Sequence, residues 1–181
     1  AKKDGLKGLT TETGAGQWGS ALSMACNFLN LHTKVFQVRA SYLQKPGRRV
    51  MMRNFGAELH PSPSNLTKSG RSFFDKDPNH PGSLGIAIAE AVELGLTDTY
   101  YKYSLGSVLD FVCLHQTVIG LEAKKQMESV QEYPDVIIGC IGGGSNFSGL
   151  AFPFFKDILE GHNTNTKFIG AEPTACPSLT K

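Results

Sequence analysis

The sequence predicts an α/β protein built from parallel-sheet βαβ units, and three observations carry that prediction. Short strand-like runs alternate with stretches whose apolar residues recur at helical spacing. Two glycine-rich clusters each stand between such a run and such a stretch. Lastly, the run Asp135-Val-Ile-Ile-Gly-Cys-Ile141 reads as a central strand buried on both faces.

Residues 6–12 are expected to form a short strand leading into Thr13-Gly14-Ala15-Gly16-Gln17-Trp18-Gly19. Residues 20–29 space their apolar side chains as a helix, and residues 34–39 alternate as a strand. Pro46 sits where a helix can begin, and Gly56 ends it. A second short strand is expected at residues 58–60, which completes the strand–helix rhythm of a parallel sheet. Residues 61–82, with Pro61, Pro63, Pro78 and Pro81, are the least regular part; a short helix over 65–75 would take Ser64 as its cap. Residues 83–94 form a helix, and residues 108–127 a longer one, apolar first and charged later. The strand over 135–141 runs into Gly142-Gly143-Gly144-Ser145-Asn146, followed by a helix over 147–160 expected to break near Pro153, then a strand over 167–171. The boundary between the two βαβ-like parts is expected at 107, giving domains 1–107 and 108–181.

At 181 residues the chain can bury a real core, and 40% apolar and 19% charged residues are globular values. A formal charge of +2, spread thinly, gives no electrostatic case for nucleic acid. The four cysteines make no CxxC pair and have no His or Cys partner at ligand spacing, so no metal site is expected. Cys26, Cys113 and Cys140 sit in apolar runs and read as reduced, buried thiols. There is neither a membrane-length apolar run nor a signal-like N-terminus, so a cytoplasmic location without membrane contact is expected.

Eight of the 20 glycines fall in two clusters, at 14–19 and 139–149. The second lies between a strand and a helix, where glycines let a ligand approach the backbone. The helix N-terminus adds free N–H groups and a positive dipole end, and Ser145 adds a hydroxyl. That combination suits a phosphate; a tight turn alone would need one glycine, not three. Without the lysine of GxxxxGK[ST] it is not a nucleoside-triphosphate loop.

Gly14, Gly16 and Gly19 match GxGxxG formally, but the strand before them is polar and no acid ends the next strand. Arg39 stands there instead and would suit at best a 2′-phosphate, so an NADP-type dehydrogenase is the rival from another class. Glu12, just before the first cluster, reads equally as a dipole partner or as a general acid/base. Trp18 reads as a core anchor or a pocket wall, and His115 as a core histidine. Arg48 and Arg49 read as a solvated helix face, and Lys124 and Lys125 as surface charges.

Four segments together resemble one family. Glu12-Thr-Gly-Ala-Gly-Gln17, Gln116-Thr-Val-Ile-Gly-Leu-Glu-Ala-Lys-Lys-Gln126, Ile141-Gly-Gly-Gly-Ser-Asn146 and Phe168-Ile-Gly-Ala-Glu-Pro173 stand in the order found in tryptophan synthase beta chains. Trp18, and the run from Leu105 through Gly106 and Ser107 to Asp110 without a Pro-His-Pro segment, are similar to the second, divergent subgroup. The resemblance implies the fold of fold-type II pyridoxal-phosphate enzymes and a lyase of tryptophan biosynthesis. It would join indole to L-serine, or O-phosphoserine, by β-replacement, with pyridoxal 5′-phosphate as cofactor. By the same resemblance Glu12 is the acid/base. Thr13, Gly14, Ala15, Gly16 and Gln17 bind the amino-acid carboxylate, and Gly142, Gly143, Gly144, Ser145 and Asn146 hold the cofactor phosphate, with Ser107 near the cofactor. Expected partners are small-molecule substrates and a homodimer; this subgroup is less tied to an alpha subunit. The family's Schiff-base lysine precedes the Glu12 segment, so the chain is expected to be an internal piece, inactive alone, with incomplete βαβ units. Two alternatives stay open: a serine/threonine dehydratase-like enzyme, and a non-catalytic phosphate- or carboxylate-binding fragment.

Overall fold

Threonine-rich residues build the first sheet around a strand that looks too polar to be buried. In the computed structural model, which describes residues 1–180, the chain divides into two units, Ala1–Gly106 and one beginning at Ser107. After a 3₁₀ turn at Lys2–Asp4, the first unit holds β1 (Gly8–Thr13), α1 (Gln17–Phe28), β2 (His32–Val38), α2 (Arg39–Gln44), α3 (Pro46–Asn54), β3 (Glu58–Ser62), α4 (Lys68–Phe74), α5 (Leu84–Thr97) and β4 (Tyr101–Tyr103). Its four strands are parallel, in the order β3-β2-β1-β4.

β1 is interior, and Thr10 and Thr11 are fully buried. Their hydroxyls are satisfied: Thr10 Oγ1 donates to the Ala91 carbonyl at 2.8 Å and Thr11 Oγ1 to the Ser104 carbonyl at 2.6 Å. Polarity in this strand is therefore no argument against burial, contrary to the expectation from sequence. Alternation sorts the two faces. Thr10 meets α5 on one face, while Thr11 and Thr13 meet α1 on the other, through the Trp18 indole N–H and the Gly19 N–H. The α5 side carries Phe36, Ala87 and Ala91, with Val38, Leu94 and Tyr103 packed against them. On the other side lie two clusters, Leu22, Cys26 and Leu31 with Trp18, and Val35, Met52, Ala57 and Leu59.

Helix starts follow their caps. Ser83 Oγ accepts the Ile86 N–H and starts α5. The helix expected from residue 65 instead begins at Lys68, because Thr67 Oγ1 takes the Gly70 N–H at 2.9 Å. Ser64 is drawn elsewhere, to the buried carboxylate of Glu90, which also accepts from Ser62 and Thr67. Neither α2 nor β4 was expected from the sequence.

The second unit holds α6 (Asp110–His115), α7 (Thr117–Ser129), β5 (Val136–Cys140), α8 (Ser145–Leu159) and β6 (Lys167–Ala171), with β5 and β6 parallel. Ile137, Ala151 and Phe154 form its core. Three expectations are corrected. Residues 108–127 form two helices rather than one, with the break at Gln116, where the Thr117 hydroxyl bonds back to the Leu114 carbonyl at 2.5 Å. α8 runs through Pro153 without breaking. β5 is covered on one face only: among the described residues its one neighbour is β6, and Val136, Ile138 and Cys140 are exposed. Of the cysteines expected to be buried, only Cys26 is; Cys113 is half-buried and Cys140 exposed. His115, expected in the core, is exposed and lies edge-on to Phe111.

Candidate functional site

Two strand-to-loop-to-helix turns carry the candidate residues, one in each unit. In the first, β1 ends at Thr13 and Gly16 starts α1 with a φ of +109°, a conformation that requires glycine. No side chain caps this helix. Among the described residues, the N–H groups of Gly14, Ala15, Gly16, Gln17 and Trp18 have no hydrogen-bond partner, so five donors stand at the positive end of α1. Thr13 Oγ1 accepts the Gly19 N–H at 3.2 Å and still has its own proton to donate. Gly19 is glycine for packing: a Cβ there would stand 2.7 Å from Met52 Sδ and 2.9 Å from Thr13 Cγ2. The Arg48 stem lies over Gly16, so this arginine is half-buried against the loop, not on a free solvated face.

Glu12 is buried at the end of β1, only 6% exposed, and its Oε2 has no hydrogen-bond partner. Burial pushes its carboxyl above the usual range, and the nearby Tyr103 hydroxyl and Glu12's own backbone offset part of that rise. The Tyr103 phenol is pushed up in turn, first by burial and then by Glu12. Gln37, in register with Thr13, is fully buried with neither amide atom bonded. Sequence reading missed both Tyr103 and Gln37, since only strand register brings them beside Glu12 and Thr13.

In the second unit, Gly142, Gly143 and Gly144 join β5 to α8. Gly144 has a φ of +97°, Gly143 presses against Ser107 and Val108, and a Cβ on Gly142 would meet nothing within 4 Å. The N–H groups of residues 142–146 have no partner among the described residues, and no side chain caps α8. The Asn146 side-chain oxygen, Oδ1, accepts the Cys140 N–H at 3.2 Å and fixes the loop to the strand end. The loop borders a cavity of about 440 Å³, walled also by Val108, Ile141 and Phe147. Open space over Gly142 and uncommitted N–H groups at a helix N-terminus fit a phosphate, and the cavity beside them has room for an attached ring.

Lys124, expected as a free surface charge, is paired: its Nζ donates to Asp157 at 2.6 Å and joins α7 to α8. Among the described residues no cluster of three His, Cys, Asp or Glu could hold a metal ion. Nor is any helix among them long and apolar enough to cross a membrane.

The sequence pattern of the family described as "Pyridoxal-phosphate dependent enzyme" matches residues 1–181. A protein of Pyrococcus abyssi named tryptophan synthase beta chain 2 is 60% identical over 181 residues, covering 100% of this chain and 41% of its own length. One of the same name from Aquifex aeolicus is 59% identical over 182 residues, covering 99% of this chain and 42% of its own. The chain thus spans about two fifths of these curated relatives. Among solved structures, threonine deaminase isoform 2 of Solanum lycopersicum aligns with a TM-score of 0.68 at 23% identity, over 99% of this chain and 43% of that one. A hydrogen sulfide-producing enzyme aligns with a TM-score of 0.72 at 19% identity, over 99% and 48%. At these identities the two structures establish a shared fold and nothing more.

Proposed function

The chain belongs to the family of pyridoxal-phosphate dependent enzymes, and on that footing we propose that the full-length protein makes L-tryptophan. The substrates are indole and L-serine, or O-phosphoserine, and the reaction replaces the substituent on the serine β-carbon. The single observation that carries this reading is the close match of the whole chain to tryptophan synthase beta chains.

The cofactor, when bound, supplies the electron sink that makes the β-carbon substituent replaceable. The residues of this chain do the rest. The N–H groups of Gly142, Gly143, Gly144, Ser145 and Asn146 hold the cofactor phosphate, with Ser107 against the loop at Gly143. Those of Gly14, Ala15, Gly16 and Gln17, with the Thr13 hydroxyl, orient the amino-acid carboxylate through several converging donors. Glu12 is the acid/base. A carboxyl whose affinity for protons is raised by burial can give a proton to the departing hydroxyl and, once ionised, take the proton from the indole nitrogen. In this reading residues 1–107 form a mobile part that covers the substrate, and residues 108–181 belong to the cofactor domain. The enzyme works in the cytoplasm, on small molecules, as a homodimer less tied to an alpha subunit.

The test is tryptophan formation by the full-length protein given indole, cofactor and either serine or O-phosphoserine. The proposal expects turnover with at least one donor, and a drop of roughly a hundredfold or more in kcat for Glu12→Gln. A full-length protein that loads cofactor but deaminates serine or threonine, leaving indole unused, would overturn it.

A further inference from the structure

Tyr103 acts on the Glu12 carboxyl and is left unused by the proposed reaction. β4 pairs with β1 so that Tyr103 is in register with Thr10. Paired residues of parallel strands share a face, and Glu12, two residues beyond Thr10, shares it too. The Tyr103 ring packs against the cluster of Phe36, Ala87 and Ala91 on that face, and the Glu12 carboxylate lies close enough to help hold the proton on its hydroxyl. Tyr103 Oη and Glu12 Oε2 are both buried, and neither has a formed hydrogen bond among the described residues. A buried polar atom left unpaired is destabilising, and one hydrogen bond between this donor and this acceptor would satisfy both.

The other charged groups on this side of the sheet are engaged elsewhere. Lys34 lies over the Tyr101 ring and 3.9 Å from Glu58, and His60 is 2.9 Å from the same Glu58. From α5, Glu90 is held by Ser62, Ser64 and Thr67, and Glu93 by the backbone of Lys68 and Ser69. The β2 residue opposite Glu12 is Phe36, and α1 covers the other face. Tyr103 is therefore the neighbour equipped to act on Glu12.

We propose that Tyr103 is the positioning residue of Glu12: its phenolic O–H donates to Oε2 of the ionised carboxylate and fixes that carboxylate's orientation. The inference rests on Glu12 being the acid/base of the reading above, although the pairing itself can be measured without the reaction. The hydrogen bond favours the ionised carboxylate, so losing it moves Glu12's titration further upward. The phenol, itself pushed up, stays protonated and able to donate across the range in which Glu12 titrates.

The deciding experiment follows the side-chain carboxyl carbons of ¹³C-glutamate-labelled full-length protein through a pH titration, with Glu12 assigned as the signal missing in Glu12→Gln. In Tyr103→Phe the Glu12 midpoint is expected above that of the unaltered protein. With 3-fluorotyrosine at position 103, a stronger donor of nearly the same size, it is expected below. In the cofactor-loaded enzyme, Tyr103→Phe should lower kcat about tenfold, leave KM for serine within about twofold, and move the Glu12 limb of the kcat–pH profile upward. A tyrosine that only packs would leave both midpoints where they were, and that result overturns the proposal. If Tyr103→Phe does not fold, the fluorinated protein decides alone. Opposed shifts in a protein that makes no tryptophan would sink the reaction and leave the pair standing; tryptophan formation with unmoved midpoints would do the reverse.

Discussion

At Gly144 the backbone takes a φ of +97°, which a side chain would strain. At Gly143 a Cβ would collide with Ser107, and at Gly142 it would enter open space. The first two positions are explained by the fold; at the third the fold demands no glycine, and the open space is where the proposed cofactor phosphate would sit. Gly142→Ala is accordingly expected to leave thermal stability within about 0.5 kcal/mol of the parent. It should also weaken pyridoxal-phosphate binding about tenfold or more, equivalent to about 1.4 kcal/mol. Thermal unfolding and a cofactor titration of the full-length protein check the two halves separately. The loop was legible in the sequence because consecutive glycines between a strand and a helix have few uses. The Glu12 environment was not. Whether a carboxylate caps a helix or sits buried depends on β4, whose Tyr-Lys-Tyr alternation is too short to mark a strand and which reaches β1 only through the folded register.

Strand and helix periodicity gave the element types, while the errors came from contacts between elements. The apolar run over 135–141 does form a strand, but burial on both faces needs neighbours on both faces, and α8 covers one. Pro153 was expected to break α8, yet the carbonyls of Gly149 and Leu150 face Gly120 of α7, whose missing side chain lets the helices close on each other. The same pair of helices is joined by Asp157, which accepts from Lys124 at 2.6 Å and from the Tyr133 hydroxyl at 2.8 Å. Burial raises the Asp157 carboxyl, but the Lys124 and Tyr133 bonds outweigh it and hold the group below its usual 3.8. Tyr133 is pushed up to about 12, by burial and then by Asp157. A carboxyl held low in the folded state contributes stability above its unfolded value, and that contribution is lost as pH falls through the folded value. Lys124→Met should therefore cost about 1 kcal/mol near neutral pH, and the difference should shrink as the pH drops below the usual carboxylate range. Urea unfolding at both pH values measures it.

At the scale of the molecule, each unit carries one glycine turn that opens a helix with uncommitted N–H groups. Both turns look like anion sites by the same physics, so dipoles and free donors alone do not say which takes a phosphate and which a carboxylate. What separates them is their surroundings: a buried acid, Glu12, beside the first, and an apolar-walled cavity beside the second. That difference was only partly legible in the sequence. Glu12 is adjacent in the chain to its loop, whereas the cavity wall is gathered from residues on either side of the second loop and from well before it. The most direct test of this division is a crystal structure of the full-length protein with pyridoxal phosphate and serine. The account predicts the phosphate on the N–H groups of Gly142 to Asn146 and the serine carboxylate on those of Gly14 to Gln17. A phosphate seated on the first loop, or held by neither, would contradict it.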